Sequence, residues 1–115
     1  MQYVRIIAKP TPEHRDASPF CVDAIIDDEG RILGRHALLG LAGYFHTRDE
    51  HFYPFVLDPN GRVDFGKGYA EQGSERYATV DLREDVVRTG RMLTWDSQNY
   101  GVTQYRITDI QILPA

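Results

Sequence analysis

The run Gly90-Arg91-Met92-Leu93-Thr94-Trp95, the polar Asp96-Ser97-Gln98-Asn99-Tyr100-Gly101, and then Val102-Thr103-Gln104-Tyr105-Arg106-Ile107-Thr108-Asp109-Ile110-Gln111-Ile112-Leu113 decides the fold class. Two β-rich runs, Arg91 to Trp95 and Val102 to Leu113, flank a loop of turn-forming residues, which is the pattern of a hairpin. Side chains alternate along a strand, so Tyr105 and Ile107 share one face while Ile110 and Ile112 share the other. The apolar face flips near Thr108-Asp109. A flip inside one strand marks a bulge or sharp bend, where a strand passes between sheets or turns the corner of a small barrel.

Working outward, two further stretches have hairpin chemistry. Asp23 to Ile32 and Pro54 to Val63 each carry four strand residues, then D-x-x-G-R, then an aliphatic residue. Asp at the first position accepts backbone hydrogen bonds and Gly supplies the turn conformation, so turn chemistry alone accounts for the similarity. The first copy predicts a hairpin from Phe20 to Leu33, and the second one from Phe52 to Phe65. Gln2 to Lys9 reads as a strand with apolar residues on both faces, ended by Pro10 and Pro12, with Thr11-Pro12-Glu13 able to start one helical turn. Tyr77 to Leu82 is a further strand.

His36 to Phe45 fits two templates. Leu38, Leu41, Ala42 and Phe45 follow helical spacing, although Gly40 and Gly43 each cost roughly 1 kcal/mol inside a helix, while as a strand Leu39, Leu41 and Phe45 line up around a bend at Gly43. The helical spacing favours a short helix or irregular turn there. Together the elements predict an all-β fold, with at most one short helix: a small antiparallel barrel or sandwich of about seven to eight hairpin-connected strands in one domain, 1–115.

Composition excludes several functions. The 115 residues are 42% hydrophobic and 26% charged, a globular balance, and no apolar run reaches membrane-spanning length. The N-terminus lacks the features of a signal peptide, and the lone Cys21 admits no internal disulfide, which together point to a cytoplasmic protein. Seventeen acids against thirteen dispersed bases give a net charge of −4, which argues against nucleic-acid binding.

No motif specifies catalysis. Gly61 to Lys67 imitates G-x-x-x-x-G-K, but Gly68 follows where Ser or Thr would be needed, and the context is a β-turn and strand. No Ser lies in a nucleophile elbow, and Cys21 between Phe20 and Val22 is a structural thiol. His46 and His51, with Asp49 and Glu50 between them, are the right ligand types for zinc or iron. Their spacing converges them only in a loop, so a solvated polar loop is the simpler account and no metal or cofactor is assigned.

Binding residues are better supported. Asp27, Asp28 and Glu29 form an acidic turn tip able to steer association with a basic partner. Asn99 and Tyr100 occupy the last hairpin loop, where a Tyr combines apolar area with a polar handle. These features predict a non-catalytic module binding a protein partner with a basic surface by steric occlusion. In type it resembles bacterial toxin-neutralising immunity proteins and adaptor modules. The alternatives are a barrel binding a small molecule among Tyr and Arg side chains, with or without weak enzymatic activity, and an OB-like binder of single-stranded nucleic acid.

Overall fold

In the computed structural model, which describes residues 1–43, 52–68, 76–97 and 101–114, eight antiparallel strands close into a barrel. They are β1 (Gln2–Pro10), β2 (Phe20–Ile26), β3 (Leu38–Gly43), β4 (Phe52–Leu57), β5 (Arg62–Asp64), β6 (Tyr77–Val80), β7 (Met92–Ser97) and β8 (Gly101–Ile112). Each strand pairs with the next, and β8 pairs with β1. The architecture is therefore the barrel rather than the sandwich. One-turn 3-10 helices at Pro12–His14 and Leu82–Glu84 interrupt the connections. No helix among the described residues is long and apolar enough to cross a membrane, which says nothing of strands.

Strand β8 carries the closure. Its residues 101–106 pair with β7, and residues 105–112 pair with β1. Ile7 lies opposite Asp109 and Ala8 opposite Ile107, so Thr108 is the extra residue of a bulge. That residue is why the apolar pattern changes phase. Tyr105 and Ile107 face inward before it, and Ile110, opposite the fully buried Ile6, faces inward after it. A bulge bends the strand and increases its twist, which lets one strand turn from one neighbour to the other.

Inside the barrel, Val4, Ile6, Phe20, Val22, Leu57, Val63, Leu93 and Ile107 are essentially inaccessible. Towards the end where β2 begins, five rings fill the space. Phe20 meets Tyr105 at 4.8 Å and Trp95 at 5.0 Å, while Phe55 meets Phe65 at 5.5 Å and Trp95 at 5.8 Å, all in tilted or edge-on arrangements. Such geometry suits the aromatic quadrupole and adds about 0.5–1.5 kcal/mol per pair beyond burial. The Tyr105 hydroxyl donates to the Ser18 carbonyl at 2.8 Å, so its burial leaves no hydroxyl unpaired.

Leu38–Gly43 is strand β3, not the short helix its leucine spacing favours. The reason is Gly40. It lies opposite Phe55 in the β3–β4 ladder, and a Cβ at position 40 would overlap the Phe55 ring. The ring takes the volume that the missing side chain leaves, a compensation only the strand pairing reveals. Residues 44 and 45 lie outside the described residues. The expected Phe20–Leu33 hairpin returns only as the single bridge between Ile26 and Ile32, and β2 pairs along its length with β1 and, at Phe20 to Val22, with β3. The Phe52–Phe65 hairpin forms as β4 and β5.

The two D-x-x-G-R turns adopt the same structure. The Asp27 carboxylate accepts from the Glu29 and Arg31 amides at 2.9 Å, and the Asp58 carboxylate accepts from Asn60 and Arg62 at 2.8 and 2.9 Å. Gly30 and Gly61 both sit at φ +90°, where an L side chain is strained. Their carbonyls accept from Val87 at 2.7 Å and Val80 at 2.9 Å, so the first turn docks on the β6–β7 connection and the second on the last residue of β6. That connection closes this end of the barrel with buried Leu82 and Val87. Arg91, only 8% exposed, holds it in shape by donating to the carbonyls of Asp81, Leu82, Asp85 and Val86.

Candidate functional site

The acidic tip divides into a structural residue and two projecting ones. Asp27 is committed to its turn, and the Arg31 amide, followed by that of Glu29, holds its carboxyl below the ordinary carboxylate range. Its side chain closes the turn. Asp28 and Glu29 point outward instead. The Asp28 side chain is 99% exposed and stands 3.4 Å from the terminal amine of Met1, and Glu29 stands 3.4 Å from Arg31. Exposed pairs of this kind contribute little stability and exchange readily for another cation. The tip is thus a fixed backbone presenting two available carboxylates.

Asn99 and Tyr100 lie outside the described residues, as do His46 and His51. The ladder that leads to the first two ends in the pair Ser97 and Gly101. Among the described residues no group of three His, Cys, Asp or Glu side chains could hold a metal ion.

A surface that the sequence reading passed over lies on the outer wall of β1 to β4. Outward positions there alternate with the core positions, yet many are apolar. Leu39 is 72% exposed and lies opposite the outward Val56, while Leu41 lies between Cys21 and Pro54 in register. Beside them a groove of about 380 Å³ is floored by Ile7 and Cys21 and edged by Arg5, Asp23, Leu39 and Leu41. Arg5 and Asp23 face each other across the β1–β2 ladder. The guanidinium donates twice to the carboxylate, at 2.8 and 2.9 Å. Burial pushes the Cys21 thiol up, partly offset by Arg5, so it stays protonated and inert, as a structural cysteine does. The signal for this face was present as apolar residues on both faces of β1, and again at Leu39 and Leu41, whose outward side only the register reveals.

On the opposite wall, the Arg62 and Arg76 guanidiniums lie 4.5 and 4.9 Å from the centre of the Tyr77 ring. Arg76 donates to Asp64 at 2.9 and 3.3 Å, and Arg62 stands 3.6 Å from Asp58. Arginines do gather here, but each beside a carboxylate. The G-x-x-x-x-G-K look-alike lies in the same region, with Gly61 closing a turn and Arg62–Asp64 forming strand, so it has no helix N-terminus for a phosphate. No protein-family model, curated protein or solved structure matches the chain.

Proposed function

We infer that the chain is a non-catalytic protein-binding module, acting by steric occlusion of a basic surface on its partner in the manner of a toxin-neutralising immunity protein or adaptor. The observation that carries this reading is the turn tip: Asp27 and the Gly30–Val87 hydrogen bond fix its backbone, and Asp28 and Glu29 project from it. A preorganised tip loses little conformational entropy when it binds, and its charge raises the association rate with a basic partner. The ring-filled barrel favours binding at the surface over binding in the lumen. Pairing of Arg5, Arg31, Arg62 and Arg76 with carboxylates weighs against a nucleic-acid surface.

The test is affinity purification from the native host with the wild-type chain and with Asp28→Lys/Glu29→Lys, Asp27 being left to hold the turn. A basic protein retained by the wild type, released by high salt and lost by the variant is the expected result. Identical protein sets on the two baits would sink the reading.

A further inference from the structure

We propose that the groove between the first D-x-x-G-R turn and the β6–β7 connection binds a free aliphatic α-amino acid, its carboxylate on Arg83 and Arg31 and its ammonium on Glu84 and Asp85. The groove measures about 460 Å³ and is lined by Arg31, Ile32, Arg83, Glu84, Asp85 and Val86. That volume lies in the range of small-molecule sites. Its two banks are tied together, because the Val87 amide donates to the Gly30 carbonyl at 2.7 Å and the Asp27 carboxylate holds the Arg31 amide at 2.9 Å. A groove with fixed banks loses little conformational entropy when it is filled.

Arg83 is the residue that points to a ligand. Arg91, in the same connection, spends both terminal nitrogens on carbonyls. Arg83 spends only Nη2, on the carbonyls of His36 and Leu57, and its Nε is buried without a hydrogen-bond partner among the described residues. No described carboxylate lies within ion-pair distance of it. Burial lowers its pKa, and the field of Asp58 offsets only part of that effect. The Asp58 carboxylate is itself committed to the Asn60 and Arg62 amides and stands 3.6 Å from the Arg62 guanidinium. Arg83 is thus a desolvated cation short of an anion, with Nη1 left to donate to one.

The other lining residues select the kind of anion. Two arginines share the groove with two acids, so a simple anion on Arg83 brings its charge towards Glu84 and Asp85 with nothing to compensate it. Among the described residues neither arginine is ion-paired with either of these acids. Arg31 stands 3.4 Å from Glu29 with its side chain 69% exposed, an exchangeable contact. Asp85 accepts from the Val86 amide through Oδ1, which leaves Oδ2 open. The four charges therefore do not neutralise one another, and a ligand carrying both signs satisfies them together through charge-assisted hydrogen bonds. An α-amino acid carries both signs on neighbouring atoms. Ile32 and Val86 supply the apolar contacts that suit an aliphatic side chain on it.

This inference goes beyond the acidic-tip reading and fails separately from it, because its test uses no protein partner. Melting of the full chain is followed with L-leucine, and with isocaproate and leucinamide, each of which keeps one charge of the amino acid and lacks the other. L-leucine at up to about 10 mM is expected to raise the midpoint by about 5 °C, the rise for a ligand at about ten times its Kd, and the two analogues to raise it much less. Backbone amide NMR is expected to place the L-leucine shifts at Arg31, Ile32 and Arg83 to Val87. Arg31→Gln and Glu84→Gln change exposed side chains and are expected to fold as the wild type does, while weakening L-leucine binding about tenfold. Glu84→Gln is also expected to narrow the preference for L-leucine over isocaproate, and Arg31→Gln the preference over leucinamide, which a purely structural role does not move. Arg83→Gln, which also gives up two carbonyls, is expected to lose the response altogether. No rise with L-leucine, an equal rise with either analogue, shifts centred elsewhere, or unchanged binding in Arg31→Gln and Glu84→Gln would each overturn the assignment.

Discussion

The ring of Phe55 occupies the place where a side chain at Gly40 would stand, so that a Cβ there would overlap the ring carbons. Trp95 at 5.8 Å and Phe20 at 6.3 Å hem that ring in, so it cannot swing aside freely. Gly40→Ala is therefore expected to lower stability by about 1–3 kcal/mol, the range for overpacking a filled core, although alanine usually suits a strand no worse than glycine. Urea unfolding checks this. Combining Gly40→Ala with Phe55→Leu is expected to be less damaging than the sum of the two, by about 1 kcal/mol. Strict additivity would mean that the ring is not the obstacle.

Arg91 makes a second prediction. Its guanidinium serves four carbonyls of the β6–β7 connection from a buried position. Lysine keeps the charge but cannot present the planar fork. Arg91→Lys is expected to cost about 2–3 kcal/mol through carbonyls left without donors. The local readout is the Val87 amide, which donates to Gly30. Its hydrogen exchange is expected to accelerate more than that of amides in β1, and equal acceleration would show only a global effect.

The Asp64–Arg76 pair predicts a pH dependence. The guanidinium, hydrogen-bonded at 2.9 Å, is the main cause holding the Asp64 carboxyl below its ordinary range. A folded value below the unfolded one, about 3.9, means that the unfolded chain binds more protons in the window between them. The stabilisation is therefore complete above the unfolded value and disappears as pH falls through the folded value. Asp64→Asn removes it. The stability gap between wild type and variant is expected to be constant above about pH 5 and to shrink below about pH 4. Denaturant midpoints at several pH values measure this, and a gap that does not change in acid would refute it.

Deleting Thr108 tests the bulge. Without the extra residue, alternation along β8 is unbroken and Ile107 and Ile110 both stay inward, but the strand loses the bend and added twist with which it turns from β7 to β1. The deletion variant is expected to melt cooperatively but at a lower temperature than the wild type, because β8 must then reach β1 without its bend, whereas Thr108→Ala keeps the bulge and is expected to melt near the wild-type midpoint. A cooperative melt of the deletion near the wild-type midpoint would show that the bulge is dispensable.

Much of this fold was legible because its determinants are local. The phase change at Thr108-Asp109 needs only the alternation of one strand, and each D-x-x-G-R turn satisfies its own amides within five residues. Position 40 was misread because the residue that explains its glycine, Phe55, is fifteen positions away and adjacent only through the β3–β4 ladder. Barrel and sandwich could not be separated for a related reason: closure depends on β1 meeting β8, and no short window contains both. At the acidic tip, charge was readable but direction was not. Three consecutive acids look alike in sequence, and only the folded turn separates Asp27, which caps the backbone, from Asp28 and Glu29, which face solvent.

Closure by β8 also sets an order on folding during synthesis. Strand β1 finds one of its two partners only when β8 has emerged from the ribosome, and the Leu113 amide finally bonds to the Tyr3 carbonyl at 2.9 Å. Until then β1 presents an open edge, the surface on which nascent β chains aggregate. Such a high contact order makes barrel closure a late, slow event. The nascent barrel is therefore most in need of a chaperone in the interval before β8 is free to pair with β1.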